Sequence, residues 1–344
     1  MNGHTPRHFI LSQQVNPFWL LKILFPLAQE MADLLNIKNE ANQAKLLAIR
    51  KKMLGKGILT VFWQASTRTR FSFELAAKKI GLDVFAHTES AGLFSSSVKG
   101  ETLADTIHVI GSYCLPHADH AIVMRHDKTG AALEAAKISP VTIVNAGDGT
   151  GQHPTQALLD AFTIWQKFHR LDNLTVAMVG DLTHGRTVRS LSYLLSKFPG
   201  VNLFFVSPEN LKIGADITEH LRENRVAFSE IDSLKEVVGQ ADVVYTTRIQ
   251  REWPDAKKVI YDPDNFRITP QILNLLKENA IVMHPLPRNP VDNELPTEVD
   301  GHPSARYFSQ AQNGLFVRMA LLYLIFSEAT PEMPFPIPLL PEKY

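Results

Sequence analysis

Leu174-Thr-Val-Ala-Met-Val-Gly-Asp-Leu-Thr-His-Gly-Arg-Thr-Val188 decides the fold. The run from Leu174 to Gly180 is apolar, of strand length and closed by glycine, so it reads as a strand buried on both faces. Thr187 to Phe198 then reads as a helix, stopped by Pro199 and Gly200. A buried strand, a glycine turn and a helix make up the repeating unit of a parallel α/β sheet. Leu203–Val206, Val243–Thr246 and Ala280–Met283 supply further strands on the C-terminal side. Towards the N-terminus, Ile58–Trp63 reads as a strand and Phe71–Ile80 as a helix ended by Gly81. Strands at Ala121–Met124 and Val141–Asn145 follow, and then a long helix over Pro154–Phe168. Ala146-Gly-Asp-Gly-Thr-Gly151 reads as the loop between two domains. A last apolar helix covers about Leu315–Phe326, and the proline-rich tail from Pro331 reads as an irregular surface segment.

Composition bounds what such a chain does. Its 344 residues suggest two domains, and Lys+Arg and Asp+Glu are both 35, a net charge of zero. That balance carries no footprint for nucleic acid or an anionic membrane, so neither is expected as a partner. The single cysteine, Cys114, excludes an internal disulfide framework and a cysteine-rich zinc site. It reads as a buried small residue in a protein of a reducing, cytoplasmic setting. Phe18–Leu27 is the most apolar early stretch, but Lys22 and Pro26 interrupt it, and it falls far short of the ~20 residues of a membrane helix. A core helix running on to Leu35 fits it better.

Ser66-Thr-Arg-Thr-Arg70 stands between a strand and a helix. One reading is plain capping by Ser or Thr. The other is an anion site, because Arg68 and Arg70 put cations at the positive end of a helix, where a bound phosphate would compensate them. Gly180–Val188 repeats the arrangement with Arg186 and Thr187 at the next helix start; the alternative there is a surface arginine on a turn. Two such sites in two α/β halves predict one bipartite cleft for two anionic ligands, at the carboxyl ends of the strands. Arg125, after the second strand, either reaches a phosphate or is solvated. Arg248 and Gln250 suit a dicarboxylate, against the commoner solvated loop. In His284-Pro-Leu-Pro-Arg288 the prolines stiffen the chain and allow a cis bond at Leu286–Pro287. Carbonyls held rigid there could accept from a ligand amide; a structural turn is the alternative. His153 and Gln156, at the start of the long helix, are either structural or the pair that polarises a carbonyl and binds an amino group. Lys99 lies in a polar loop with Ser95, as a solvated side chain or a mobile donor that closes over bound anions. No His/Cys cluster argues for a metal, and no cofactor is expected.

Taken together these motifs resemble the aspartate/ornithine carbamoyltransferase superfamily, in its aspartate branch. The similarity runs in matching order from about Phe9 to Phe326. It is carried by Ser66–Arg70, Asn145–Gly149 through Gln156–Asp160, Gly180–Val188, Arg248-Ile-Gln250 and His284–Arg288. The ornithine branch has His-Cys-Leu-Pro where His284-Pro-Leu-Pro stands. The resemblance implies two doubly wound parallel-sheet domains with the active-site cleft between them, and a C-terminal helix returning to the first. It places a carbamoyl-phosphate domain at 1–153, completed by 312–344, and an aspartate domain at 154–311. It implies transfer of the carbamoyl group to L-aspartate, in pyrimidine biosynthesis, with Arg68, Thr69 and His153 stabilising the oxyanion. Ser66, Thr67, Arg68, Thr69 and Arg125 would hold the phosphate; His153, Gln156, Leu286 and Pro287 would complete the carbamoyl-phosphate site. Arg186, Thr187, Arg248, Gln250 and Lys99 would bind aspartate. Ser95 and Lys99 would reach a neighbouring subunit of a homotrimer, and Glu101 would orient Arg68 across that interface. Regulatory chains or a larger assembly are left open.

Two departures bear on the reading. The family's usual Phe-Phe-Glu is Phe62-Trp63-Gln64 here, and its Arg-x-Gln-x-Glu-Arg loop ends in Trp253. The acid and arginine that pair between domains in the family are therefore lost together, which leaves no orphan charge. Carbamoyl transfer to another amine and a catalytically silent scaffold are the competing readings.

Overall fold

The computed structural model describes residues 8–35, 39–86, 99–254 and 256–327. The expectations for Ser95 and for the tail from Pro331 lie outside the described residues. The chain divides into two compact units, Met1–Thr155 with Gly314–Tyr344, and Gln156–Asn313.

The first unit holds a four-stranded parallel sheet. Its strands are β1 (Gly57–Phe62), β2 (Asp83–Ala86), β3 (His120–His126) and β4 (Thr142–Asp148), in the order β2-β1-β3-β4. Its helices are α1 (Phe25–Leu34), α2 (Glu40–Lys52), α3 (Thr67–Ile80), α4 (Leu103–Tyr113) and α5 (Ala131–Ile138). The second unit holds β5 (Thr175–Val179), β6 (Asn202–Val206), β7 (Ala227–Ile231), β8 (Val243–Thr246) and β9 (Ile281–Met283), all parallel, in the order β7-β6-β5-β8-β9. The helices α6 (Pro154–Phe168) and α9 (Tyr307–Phe326) cross the divisions between the units, and α7 (Arg186–Leu195) and α8 (Ala215–Glu223) belong to the second. Val61, Ile107, Ile122, Met124 and Ile143 belong to one core cluster of the first unit, with Cys114 among them as a small buried residue. Ala177, Val179, Val206, Val244 and Val282 lie in the corresponding core of the second.

The central strands are the ones expected from apolar runs. The edge strands β2 and β7 were not, because their side chains are mostly exposed and leave no apolar signature. Several boundaries also move. Helix α3 begins at Thr67, not Phe71, so the Thr-Arg-Thr-Arg run forms its first turn. Strand β3 continues through Arg125 and His126, since the Arg125 carbonyl accepts the Trp63 N–H at 2.8 Å. Helix α9 begins at Tyr307, two turns before Leu315, because its polar start is buried by bonding: Gln310 donates to Asp160 at 2.7 Å, and Asn313 to Thr163 at 2.9 Å.

His8 ties the N-terminal segment to β4. Its Nδ1 accepts the Ile143 N–H at 3.1 Å, and burial pushes the imidazole down to about 4 from 6.5. A folded-state value below the unfolded one means that the unfolded chain binds the extra proton, so stability falls as pH drops from 6.5 towards 4. We expect about 2 kcal/mol to be lost between pH 7.5 and pH 5 from this group. Urea unfolding of the parent and of His8→Asn across that range checks it: the variant should have the shallower dependence, and equal slopes would remove His8 as the cause.

Candidate active site

In the first sheet the strand order reverses between β1 and β3. Such a reversal opens a crevice at the carboxyl ends of the strands, where α/β folds take ligands. Ser66–Arg70 leaves β1 at this point, and Arg125 lies near the end of β3. Ser66 precedes α3 in an extended conformation (φ −162°, ψ 92°), and its side chain makes no capping bond. Plain capping is therefore the reading that the geometry removes. The first bond of the helix runs from the Arg70 N–H to the Ser66 carbonyl at 3.1 Å. The N–H groups of Thr67, Arg68 and Thr69 thus have no acceptor within the helix, at its positive end. Thr67 and Arg68 are exposed, and Thr69 is buried.

Arg70 departs from the expectation. Its Nε donates to Glu74 at 2.7 Å, and the same carboxylate oxygen accepts from the Thr60 hydroxyl at 2.9 Å. Its compensating anion is internal, one turn along the helix, and no ligand is needed to supply it. Arg125 is buried rather than solvated, with Nη1 donating to the Ala146 carbonyl at 3.2 Å.

His153 is also buried, with Nε2 at 3.4 Å from the Thr69 hydroxyl and Nδ1 at 3.4 Å from that of Thr155. By sequence the segment leading to it reads as the loop between two domains, yet β4 extends through Asp148 and is buried throughout. Polar side chains make this possible. Asp148 accepts the N–H groups of Gln152 (2.8 Å) and Gly130 (3.0 Å). The Gln152 side chain accepts the Ser12 N–H at 2.8 Å and donates to Gln13 at 2.7 Å. His153 is thus placed by a hydrogen-bonded turn. Lys99 is exposed, and Glu101 accepts from the Thr106 hydroxyl at 2.6 Å.

The second sheet reverses between β5 and β8, and the loops that follow those two strands carry Arg186–Thr187 and Arg248–Gln250. Gly180, at φ +113°, allows the close approach of the two strand ends: a Cβ there would lie 2.2 Å from the Thr247 carbonyl oxygen. Arg186 opens α7 and is half-buried, as are Thr187, Arg248 and Gln250. The Gln250 N–H donates to Asp181 at 3.1 Å. Arg248 grips Glu252 with both terminal nitrogens, Nη1 at 2.8 Å. That bond raises the guanidinium above its ordinary value and holds the Glu252 carboxyl below its own. A planar guanidinium carries five N–H donors, so Arg248 can keep Glu252 on one edge and offer another to a ligand carboxylate.

The Leu286–Pro287 bond is cis, and Leu286 sits at φ +54°. A branched residue in the left-handed region costs on the order of 1–3 kcal/mol and persists only where its surroundings impose it. His284 does so here: Nδ1 accepts the Leu286 N–H at 2.7 Å, Nε2 meets Glu294 at 3.1 Å, and the His284 N–H donates to Gln310 at 2.9 Å. Gln310 passes the network on to Asp160, a fully buried carboxyl group that also accepts from Gln156 (2.9 Å) and the Tyr245 hydroxyl (2.8 Å). Burial and then the Asp160 charge push the Tyr245 phenol well above its ordinary value, and a side-chain hydrogen bond also joins it to Thr187. Gln156, the Leu286 backbone and Thr187 therefore share one buried support.

Sequence reading missed that support. Asp160 stands four residues after Gln156 on one helix, a spacing that could have flagged it. Gln310, 150 residues away, gave no local signal. Arg251 and Arg288 have structural roles: Arg251 pairs with Asp292, and Arg288 with Asp300 over the Tyr307 ring. Among the described residues, no three His, Cys, Asp or Glu side chains gather as a metal site requires, and no helix is long and apolar enough to cross a membrane.

Chemically, the first unit offers helix N–H groups, hydroxyls and two guanidinium groups to an anion. Beside them stand an imidazole and a buried hydroxyl suited to a polarised carbonyl. The second offers guanidinium groups suited to carboxylates.

Comparison with known proteins divides the chain in a similar way. The family model of the aspartate/ornithine carbamoyltransferase carbamoyl-P binding domain matches residues 7–166, and that of the Asp/Orn binding domain matches 172–325. The chloroplastic aspartate carbamoyltransferase of Arabidopsis thaliana is 45% identical over 310 residues, 89% of this chain and 74% of that protein. The aspartate carbamoyltransferase catalytic subunit of Methanocella arvoryzae is 49% identical over 273 residues, 79% of this chain and 85% of its own. Aspartate transcarbamoylase of Trypanosoma cruzi, solved in complex with carbamoyl phosphate and aspartate, has a TM-score of 0.83 at 35% identity, covering 94% of this chain and 98% of that one. With both domain models matched in order over nearly its whole length, the chain belongs to the aspartate/ornithine carbamoyltransferase family.

Proposed function

We propose that the first unit holds carbamoyl phosphate, that the second holds L-aspartate, and that the residues identified above perform the transfer between them. The reaction is that of an aspartate carbamoyltransferase. The aspartate amine attacks the carbonyl carbon, a tetrahedral oxyanion forms and collapses, and N-carbamoyl-L-aspartate and phosphate leave, in pyrimidine (UMP) biosynthesis. In our reading the α3 N-terminus with Ser66, Thr67, Arg68 and Thr69, together with Arg125, takes the phosphate. Arg68, Thr69 and His153 stabilise the oxyanion. Gln156 and the carbonyl groups of Leu286 and Pro287 bind the carbamoyl amino group; Arg186, Thr187, Arg248 and Gln250 take the aspartate carboxylates, and Lys99 assists. The observation that carries this assignment is that each sheet sets an arginine-bearing loop at its own strand-order reversal. Since the chemistry needs no covalent intermediate, orientation and preorganised charge supply most of the rate.

A homotrimer with shared active sites completes the proposal. The exposed apolar side chains of the first unit support it: Phe71 and Leu75, one turn apart on α3, with Phe85, Tyr113 and Leu115. Ser95 and Lys99 would act on the neighbouring subunit. The single cysteine supports a cytoplasmic setting, although the plant relatives are named chloroplastic.

The test is carbamoyl-amino-acid formation by the purified protein from carbamoyl phosphate with L-aspartate or L-ornithine. Saturable product with aspartate alone is expected, from particles of three chains by light scattering. Turnover with another amine instead, or none with a folded protein, would overturn the acceptor assignment.

A further inference from the structure

Trp253 stands where the related loops commonly end in arginine, and within the second unit it has a defined partner. Its ring stacks on that of His184 at 5.3 Å between centroids and 10° between planes. His184 is buried and anchored on Asp181, which accepts its backbone N–H at 3.0 Å and meets its Nδ1 at 3.0 Å. Asp181 is itself fully buried, and its Oδ2 also accepts the Gln250 N–H at 3.1 Å. The loop after β5 and the loop after β8 are thus joined twice, by a carboxylate below and an aromatic stack beside it. Arg186 follows Asp181 by five residues and His184 by two, and Arg248 and Gln250 precede Trp253 by five and three.

We propose that Asp181, His184 and Trp253 form a clamp that sets the spacing between Arg186 and the Arg248–Gln250 pair, and so selects the length of the dicarboxylate that the second unit accepts. The proposal rests on the assignment of that unit to aspartate. Its physical basis is that two guanidinium groups discriminate chain length only while their separation is fixed. A stacked aromatic pair, together with a hydrogen bond to a buried carboxylate, fixes it. The clamp residues act through the arginines; they are positioning residues.

The test is calorimetric titration of the whole protein, with carbamoyl phosphate present, using succinate and the one-methylene-longer glutarate. The parent should prefer succinate. Trp253→Ala should weaken succinate about five- to tenfold, weaken glutarate less and so narrow the preference, with carbamoyl-phosphate affinity within about twofold of the parent. Trp253→Phe, which keeps a stacking ring, should restore the preference to within about twofold. An unchanged succinate-to-glutarate ratio in a folded Trp253→Ala protein, or a Phe variant as impaired as the Ala variant, would overturn the clamp. A parent that binds neither acid would instead overturn the dicarboxylate assignment on which the clamp depends.

Discussion

His153→Ala is expected to lower kcat by about 10²–10³, the usual effect of removing one donor from an oxyanion site. The imidazole Nε2 and the Thr69 hydroxyl oxygen lie 3.4 Å apart, too long for a strong mutual bond and close enough for one oxygen atom to be shared between them. A carbonyl oxygen gains most from such a pair when it carries a negative charge, so the loss falls on kcat and not on the KM for aspartate. The pair is also preorganised. Nδ1 is steadied by Thr155, and the preceding Gln152 is bonded to Asp148, Ser12 and Gln13. No rearrangement is then required when the charge develops. His153→Gln, which keeps an N–H donor, should recover part of the rate. Steady-state kinetics with both substrates decide the matter, with circular dichroism to establish folding of the buried variant. A loss below tenfold, or one that appears wholly in KM, would assign the histidine to binding rather than to the transition state.

Asp160→Ala carries the largest expected effect on stability, about 3–5 kcal/mol. Gln156, Gln310 and Tyr245 donate to this fully buried carboxyl group, the last two from other elements, α9 and β8. Alanine would leave these donors without that acceptor in a site that excludes water, and each lost bond costs the desolvation of the donor as well as the bond. For a unit of this size the melting temperature should fall by roughly 10 °C. Tyr245→Phe should cost less, about 1–2 kcal/mol, because it removes one donor to Asp160 and takes a hydrogen-bond partner only from the half-buried Thr187. The KM for carbamoyl phosphate should rise in Asp160→Ala, since Gln156 loses its anchor directly and Leu286 loses the Gln310–His284 link. Thermal and urea unfolding measure the first effect and kinetics the second. A variant within about 1 kcal/mol of the parent would show that the network has no net stabilising role.

The physical character of each element decides how much of the fold the residues declare by themselves. β5 and β8 are short apolar runs buried along nearly their whole length, so their hydrophobic sequence is also their environment. β7, written Ala-Phe-Ser-Glu-Ile, lies at an edge with exposed side chains, and only its backbone pairing with β6 makes it a strand. The same division runs through the candidate site. The Ser66–Arg70 and Gly180–Val188 motifs are visible because a strand, a turn and a cation-bearing helix start are adjacent in sequence. The supporting carboxyl groups are not: Asp181 reaches Gln250 across 69 positions, and Asp160 reaches Gln310 across 150.

From the sequence alone came the parallel α/β class, the central strands, the arginine-bearing helix starts and the family resemblance. All of these rest on residues within about one turn or one strand of each other, where hydrophobic period and helix-end chemistry act directly. Tertiary structure alone decided that Thr60 of β1 joins the half-buried Arg70–Glu74 pair while Arg68 stays exposed, and that Arg125 lies inside a strand. It also decided that the turn before His153 is buried, and that Trp253 stacks on His184. In each case the deciding term is desolvation. Whether a charged or polar group can be buried depends on a partner that the chain brings from far away, and that pairing exists only once the sheets have formed.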